Sequence, residues 1–460
     1  MRPAVLSDGG GRAAPRRPLR VLYLHQHYSA PSGATATRAH AHAAALAARG
    51  HEVVVACGSY AGADTGLGDL PFGHGGARRG RAACRPGGVG FGVIEYDVPC
   101  ANAMGARARA AAYLAYARRA AALALRGGRW DAVLASSTPL TVALPALAAR
   151  ALRGTPFVFE VRDPWPELPA AMGAAPGPAL AAMGRLADAA CRRASAVVAL
   201  TEGVAEAAVA RGADPARVRV VPQGCDLDLF GPGVAPWRPE EAAPWEVLAT
   251  YAGAHGRANG LDALLDAARA LLAAPPARPV RLLLVGEGSE RARLRDRAAR
   301  EGLSNVTFLD PMPKPRLAGL LAVSGAVLHL LADVPAFAEW TAPNKLMDGL
   351  AAGRPVVTNA PGRSARIVAD GPSGIAVPPG DPRALADALR ALAADPVRRA
   401  AMGAAARDQA ERLWDRRMHA RALCEVVEAV AEDARPRHRW LGARRGGDGA
   451  AAAPAGTAPA

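Results

Sequence analysis

The chain has 460 residues and a net charge of +15, from 56 Lys and Arg against 41 Asp and Glu, and 51% of it is hydrophobic. That apolar mass excludes a disordered or fibrous protein, and the length accommodates two or three domains of about 100–200 residues each. Uncharged runs such as Thr138 to Ala149 fall short of the ~18–20 apolar residues that cross a bilayer, so no spanning helix is predicted.

Residues 1–18, rich in Arg, Gly, Ala and Pro, are expected to be a disordered extension. A buried strand over 20–25, a loop at 26–33, a helix over 37–49 ending at Gly50 and a strand over 52–56 form the β-loop-α-β unit of a parallel sheet. The Gly- and Arg-rich stretch 62–90 lacks periodicity and reads as a mobile loop. Strands follow at 92–98, 132–135, 156–160 and 196–200, with helices at 107–126 and 178–193. These compose an N-terminal α/β domain over 19–230, and the Pro-rich stretch 231–244 reads as a linker.

A second alternating series fills 245–395, with strands at 247–251, 281–285, 306–309, 326–330 and 355–358 and helices at 261–272, 290–301, 315–323, 344–352 and 382–393. A helical tract covers 396–434, and 435–460 is a basic tail expected to be disordered. The fold class is therefore α/β, with two doubly wound domains. Ligands of such sheets bind beyond the carboxyl ends of the strands, so two facing sheets place a cleft between them.

The basic residues are 54 Arg and only two Lys. Ala, Gly and Pro are inflated with Arg, as a GC-rich genome dictates, which leaves Lys314 and Lys345 as candidates for positions where a compact ammonium is required and a planar fork does not serve. The charge permits nucleic acid, anionic lipid or an acidic substrate. With aromatics at 5% and no Cys-x-x-Cys, nucleic acid is the weakest and is not expected as a partner. Cys57, Cys84, Cys100, Cys191, Cys225 and Cys424 are scattered singly, and no apolar secretory segment lies near Met1, which points to the reducing cytoplasm.

Four segments after strands carry the chemistry. His25 to Arg38 is a small-residue loop entering a helix N-terminus, where free N–H groups favour an anion, with Gly33 a candidate donor contact. Phe159 to Glu167 crowds Glu160, Arg162, Asp163 and Glu167 around two prolines and a Trp, a composition suited to lining a cleft. Tyr251 to Leu261 brings Gly253, His255, Gly256, Arg257 and Asn259 to a loop suited to a diphosphate, with Arg257 or His255 supplying charge. Thr341 to Val357 places Asn344 and Lys345 in a first helical turn and Asp348 one turn on. A first-turn Lys opposes the helix dipole unless an anion lies nearby, and an intrahelical Lys–Asp pair is its simpler explanation.

These segments, in order and spacing, make the chain resemble a family 4 glycosyltransferase of the GT-B fold, and within it the WbuB-like branch of O-antigen and capsule aminosugar transfer. The likeness rests on VLYLHQHYSAPSGATATR, RGHEVVV, ASSTPLT, FEVRDPWPE, VVALTEG, VPQGCDLDLF, YAGAHGRANGLD, LLLVGEGSERARL, TAPNKLMDGLAAGRPVV and GIAVPPGD. It implies retaining transfer of a sugar from a nucleotide-diphosphate donor bound by the C-terminal domain to an acceptor bound by the N-terminal domain, with no metal cofactor. The family's Glu-x7-Glu pair falls on Trp340 and Asp348, with Glu339 one residue before the first position. Either Glu339 shifts in or Trp340 handles the sugar, and Asp348 holds the ribose. The family's phosphate-clamping Arg and Lys map near His255 and Asn259, so Arg257 and Lys345 are expected to restore the charge. Asp163, Glu160 and Arg162 are the catalytic candidates, for acceptor orientation or proton uptake.

The resulting expectation is a cytoplasmic transferase of cell-surface polysaccharide synthesis that acts on a lipid-linked or growing polysaccharide. The basic amphipathic helix at 104–126 adds peripheral contact with the inner face of an anionic membrane. The alternatives are another nucleotide-sugar enzyme of the same fold, an epimerase or phosphorylase, or a non-catalytic binding member of a polysaccharide-assembly complex.

Overall fold

The computed structural model describes residues 17–33, 37–73, 75–83, 90–101 and 104–434. Nearly all of the expected N-terminal extension, the whole C-terminal tail, Ala34 to Ala36 of the first loop and Cys84 lie outside the described residues.

The N-terminal sheet contains β1 (Arg20–Leu24), β2 (Glu52–Tyr60), β3 (Ala77–Ala83), β4 (Gly90–Cys100), β5 (Ala132–Ser136), β6 (Phe157–Val161), β7 (Ala196–Ala199) and β8 (Val218–Val220). Their spatial order is β3-β4-β2-β1-β5-β6-β7-β8, and every pairing is parallel except β3 with β4. The helices are α1 (Arg38–Ala48), α2 (Ala106–Arg126), α3 (Ala143–Arg153), α4 (Glu167–Ala171), α5 (Pro178–Arg193) and α6 (Glu202–Ala210). β1, β5, β6 and β7 are almost entirely buried, as strands covered on both faces must be. The stretch 62–90, expected to be a mobile loop, instead contributes the edge strand β3. Its Arg-rich sequence alternates weakly because one partner, β4, supplies the pairing and one side stays wet.

The second sheet contains β9 (Val247–Ala252), β10 (Val280–Val285), β11 (Val306–Leu309), β12 (Ala326–His329), β13 (Val356–Thr358) and β14 (Gly374–Ala376), all parallel and ordered β11-β10-β9-β12-β13-β14. Around it lie α7 (Asp262–Ala273), α8 (Arg291–Arg300), α9 (Lys314–Val323), α10 (Phe337–Trp340), α11 (Asn344–Ala351), α12 (Arg363–Asp370), α13 (Pro382–Ala394) and α14 (Pro396–Leu413).

The tract expected at 396–434 breaks at Trp414 and Asp415, where the Asp415 carboxylate caps α15 (Arg416–Asp433). That last helix leaves the second sheet and packs Leu423, Cys424 and Val427 into the core of the N-terminal domain beside α1. Glu428 fastens it there by accepting from Arg49 and lying 2.9 Å from His51 Nε2. Each sheet reverses its winding between its first strand and the next strand on the other side: β1 and β5 in one, β9 and β12 in the other. Those two crevices are where ligands are expected.

Candidate active site

The crevice of the N-terminal sheet is walled by His25, Gln26 and His27 after β1 and by Ser137 and Thr138 after β5. Arg162 and Asp163, after β6, close it: Arg162 Nη1 lies 3.4 Å from His25 Nε2, and its backbone N–H donates to Ser137 Oγ at 3.2 Å. Thr138 Oγ1 donates to Asp163 Oδ2 at 2.9 Å, which fixes the carboxylate. Arg162 makes no ion pair among the described residues, and its Nε has no partner. Both neighbouring histidines are neutral, because burial and then the Arg162 charge depress them, His27 to about 4 and His25 well below its ordinary value. The crevice thus carries a cation and a carboxylate, Arg162 and Asp163, that are not bonded to each other. Tyr60 and Tyr113 flank it, with ring centroids 4.5 and 6.0 Å from that of His27.

Glu160 does not belong to this lining, contrary to the expectation of a catalytic role. It is fully buried, its Oε1 accepts from Arg38 Nε at 2.9 Å and its Oε2 accepts from Ser136 Oγ. Burial would raise its pKa, but Arg38, His42 and Ser136 outweigh that and hold the group at about 2. Arg38 also donates from Nη1 and Nη2 to the carbonyls of Pro222 and Val221. The pair is a structural tie across the sheet with no free valence for a substrate.

In the second crevice Lys345 enters from the first turn of α11 and donates from Nζ to Asn259 Oδ1 at 2.8 Å. Its ammonium sits 4.8 Å from the centroid of the Tyr251 ring and its stem lies against Gly253, where a Cβ would collide with Cε. Gly253 is therefore required by the close approach of the Lys345 stem. Desolvation pushes the Lys345 pKa down to about 8. No carboxylate is paired with it among the described residues.

The intrahelical Lys345–Asp348 pair considered from sequence does not form. Asp348 instead accepts from the only other lysine, Lys314 of α9, whose Nζ is 2.6 Å from Oδ2. Both partners are nearly buried, and Phe230 lies under the ammonium. Both lysines of the chain thus converge on α11, a placement that their rarity alone marked.

The remaining candidates divide. His255 is buried between the Tyr251 and Phe308 rings, neither ring nitrogen has a partner, and burial depresses it to about 4. It is neutral and cannot supply the charge expected of it. Arg257 is exposed on a short turn after Gly256, beside Asp262, Glu290 and Arg293. Gly33 packs against Ser29 and the backbone of Gly62 and Asp64, leaving no room for a side chain.

Glu339, Trp340 and Asn344 lie where the domains meet. The Glu339 carboxylate binds Arg366 through two hydrogen bonds while its carbonyl accepts from Thr201 Oγ1 at 2.7 Å. Trp340 packs against the N-terminal core, so this ring anchors α10 to the opposite domain. Asn344 Oδ1 accepts from Gln223, a residue that sequence reasoning passed over although it lies in the quoted VPQGCDLDLF string. Arg363 and Glu202 complete the contact at 3.6 Å. No cluster of three or more His, Cys, Asp or Glu suited to a metal ion occurs among the described residues.

Residues 33–224 match the family described as glycosyl transferase 4-like domain, and residues 246–395 match glycosyl transferases group 1. The D-inositol 3-phosphate glycosyltransferase of Kribbella flavida is 33% identical over 210 residues, 44% of this chain and 48% of that protein. The chain thus spans about half the length of the curated relatives it matches. Sucrose-phosphate synthase from Thermosynechococcus elongatus has the same fold, with a TM-score of 0.69 and 18% identity over 90% of this chain and all of that one (100%). HepE from Anabaena, solved with UDP-glucose, aligns with a TM-score of 0.60 and 19% identity over 89% of this chain and 100% of its own. The architecture is the two-domain GT-B fold of these glycosyltransferases.

Proposed function

We propose, for a chain that joins a glycosyl transferase 4-like domain to a glycosyl transferases group 1 domain, transfer of a sugar from a nucleoside-diphosphate donor in the second crevice to an acceptor in the first. The observation that carries this is Lys345, a desolvated ammonium without a carboxylate, whose stem lies against Gly253 after β9 and whose Nζ donates to Asn259. A diphosphate there relieves the cost of the uncompensated cation and receives the charge that accumulates on the leaving group. Stabilisation reserved for that developing charge is what accelerates the reaction. The amides of Gly253 to Gly256 add donors to the same anion, and Arg257 approaches from the rim. Asp348, with Lys314 on one oxygen, keeps the other for the ribose diol.

On the acceptor side Asp163, oriented by Thr138, takes the hydrogen bond of the attacking hydroxyl, and Arg162 faces any phosphate the acceptor bears. Transfer with retention to a lipid-linked or growing polysaccharide, with an N-acetylated or deoxy aminosugar as the moving group, is the finer reading that the WbuB-like strings support. A phosphorylated polyol is the second reading, favoured by the unpaired Arg162 and by relatives named for D-inositol 3-phosphate.

The test is a thermal-shift screen of nucleotide sugars followed by radiolabel transfer with the donor that binds. A donor at ~100 times its Kd stabilises the fold by about 2.7 kcal/mol. No shift with any nucleoside diphosphate, together with no release or transfer of label, sinks the proposal. Label released without an acceptor, or an epimerised donor, moves the chain to another nucleotide-sugar reaction. Binding with no turnover leaves the non-catalytic alternative.

A further inference from the structure

α2 and α3 lie side by side on the outer face of the N-terminal sheet. Together they hold seven arginines, Arg107, Arg109, Arg118, Arg119, Arg126, Arg150 and Arg153, and no Asp or Glu. Arg119 and Arg153 bond to the carbonyls of Gly76 and Leu125. The other five make no side-chain hydrogen bond or ion pair among the described residues.

Arginine-rich composition alone does not produce this. In α8, which also carries five arginines, Arg291, Arg293 and Arg297 each bind two or more carboxylates, drawn from Asp262, Asp266, Glu287, Glu290, Glu301 and Asp310. A solvated basic helix in a soluble protein collects such acids. No arginine of α2 makes an ion pair among the described residues.

The exposed stripe of α2 reads Arg107, Ala111, Leu114, Arg118, Ala122 and Arg126, all at three- or four-residue spacing and so on one face. Cations alternate with apolar groups along it. Leu114 is 57% exposed, and on the neighbouring α3 Leu144 and Leu152 are 39% and 70% exposed. A polyanion such as RNA rewards the arginines but gains nothing from the leucines. An anionic bilayer surface rewards both, the guanidinium groups at the phosphates and the leucines at the acyl boundary. No helix among the described residues is long and apolar enough to cross a membrane, so the contact is one of a helix lying on the surface.

The same helix reaches the acceptor crevice. Tyr113, adjoining Leu114 of the stripe, flanks His27, and Thr141 Oγ1 bonds its carbonyl. We propose that the α2–α3 face docks on an anionic lipid bilayer, so that the N-terminal crevice opens at the membrane surface. The orientation toward an acceptor rests on the function proposed above, whereas the binding does not.

The test is flotation of the full chain with vesicles of mixed phosphatidylglycerol and phosphatidylcholine, against phosphatidylcholine alone. Binding is expected only to the anionic vesicles and falls at high salt. The triple variant Arg107→Glu, Arg118→Glu and Arg126→Glu changes only exposed residues, so it keeps its unfolding temperature. It loses affinity by at least about a hundredfold, at about fivefold for each arginine. Leu114→Ser keeps binding at low salt and loses the part that resists high salt. Absence of binding, equal binding to neutral vesicles, unchanged binding by the triple variant, or tighter binding to a duplex oligonucleotide than to vesicles each overturns the proposal. Label transfer to a soluble acceptor, measured on the same triple variant, is expected to match the parent, so failure of docking and failure of the transferase reading are told apart.

Discussion

Beside each crevice of this molecule a buried ion pair stands close to a cation that binds no carboxylate. In the N-terminal domain Arg38 is locked to Glu160 and Arg162 has no carboxylate; in the C-terminal domain Lys314 is locked to Asp348 and Lys345 has none. The paired members differ in depth. Arg38 and Glu160 are sealed beneath the sheet edge with every strong group satisfied, while Asp348 keeps an oxygen free. The difference teaches that charge in a cleft is read by its partner: a satisfied pair organises the chain, and an unsatisfied desolvated cation is the part that anticipates a ligand.

The largest expected effect comes from breaking the deeper pair. Arg38→Met leaves the Glu160 carboxylate buried with only Ser136 as a hydrogen-bond donor and His42 at 4.0 Å, and unfolding in urea is expected to show a loss of about 3–5 kcal/mol. Adding Glu160→Gln recovers part of it. The pH dependence has a definite sign: the folded pKa of about 2 lies below that of an unfolded Glu, so the stability Glu160 contributes is present above the unfolded value and is lost as pH falls through about 2. Should Arg38→Met cost less than about 1 kcal/mol, Glu160 regains its claim to chemistry.

Lys345→Ala comes next. It is expected to lower kcat by ~10²–10³ without lowering the unfolding temperature, since it removes an interaction that matters most at the transition state. Lys345→Arg is expected to restore little, because the stem is pressed on Gly253 and a planar guanidinium is bulkier than the ammonium at that contact. A variant that retains full turnover and normal donor affinity would show the unpaired cation to be idle.

Arg162→Gln moves the opposite crevice. Loss of a charged hydrogen-bond donor raises the acceptor KM by about ten- to hundredfold with donor affinity unchanged. A change in nucleotide Kd instead would place Arg162 on the donor and erase the division between the crevices.

The pH dependence of donor binding sharpens the same contrast. Unliganded Lys345 loses its proton at about 8, and a bound diphosphate favours the charged form and raises that value. Affinity for a nucleoside diphosphate, by calorimetry, is therefore level below about 8 and weakens above it by up to about tenfold for each pH unit until the raised pKa is passed. In Lys345→Arg the curve is flat over that range.

The four loop segments that follow strands were legible in the sequence, but which of their side chains line a crevice and which are bound elsewhere was not. α5 starts at Pro178 and ends at Arg193 as its Gly177–Pro178 entry and basic last turn dictate. β3 was hidden because an Arg-rich edge strand takes its pairing from a partner and not from its own alternation. Glu160 looked like a neighbour of Asp163, yet the strand sends it to an arginine 122 positions away in sequence, a contact that local spacing does not encode. Asp348 and Lys314, 34 positions apart, were separated for the same reason, and only the scarcity of lysine pointed at Lys314.

Glu339 is the smallest and most discriminating case. Its carboxylate is 44% exposed and bound to the still more exposed Arg366, so Glu339→Gln is expected to change stability by less than about 1 kcal/mol. The family's first acidic position falls one residue later, on Trp340, whose ring is committed to the N-terminal core. If the donor sugar is held by an acid here, that acid is Glu339, and it must exchange Arg366 for the sugar hydroxyls when the donor arrives. Glu339→Gln then lowers kcat while nucleoside-diphosphate affinity, measured without the sugar, is unchanged. An unaltered kcat leaves Glu339 as a surface partner of Arg366, whose carbonyl bond to Thr201 still ties the two domains together at the cleft.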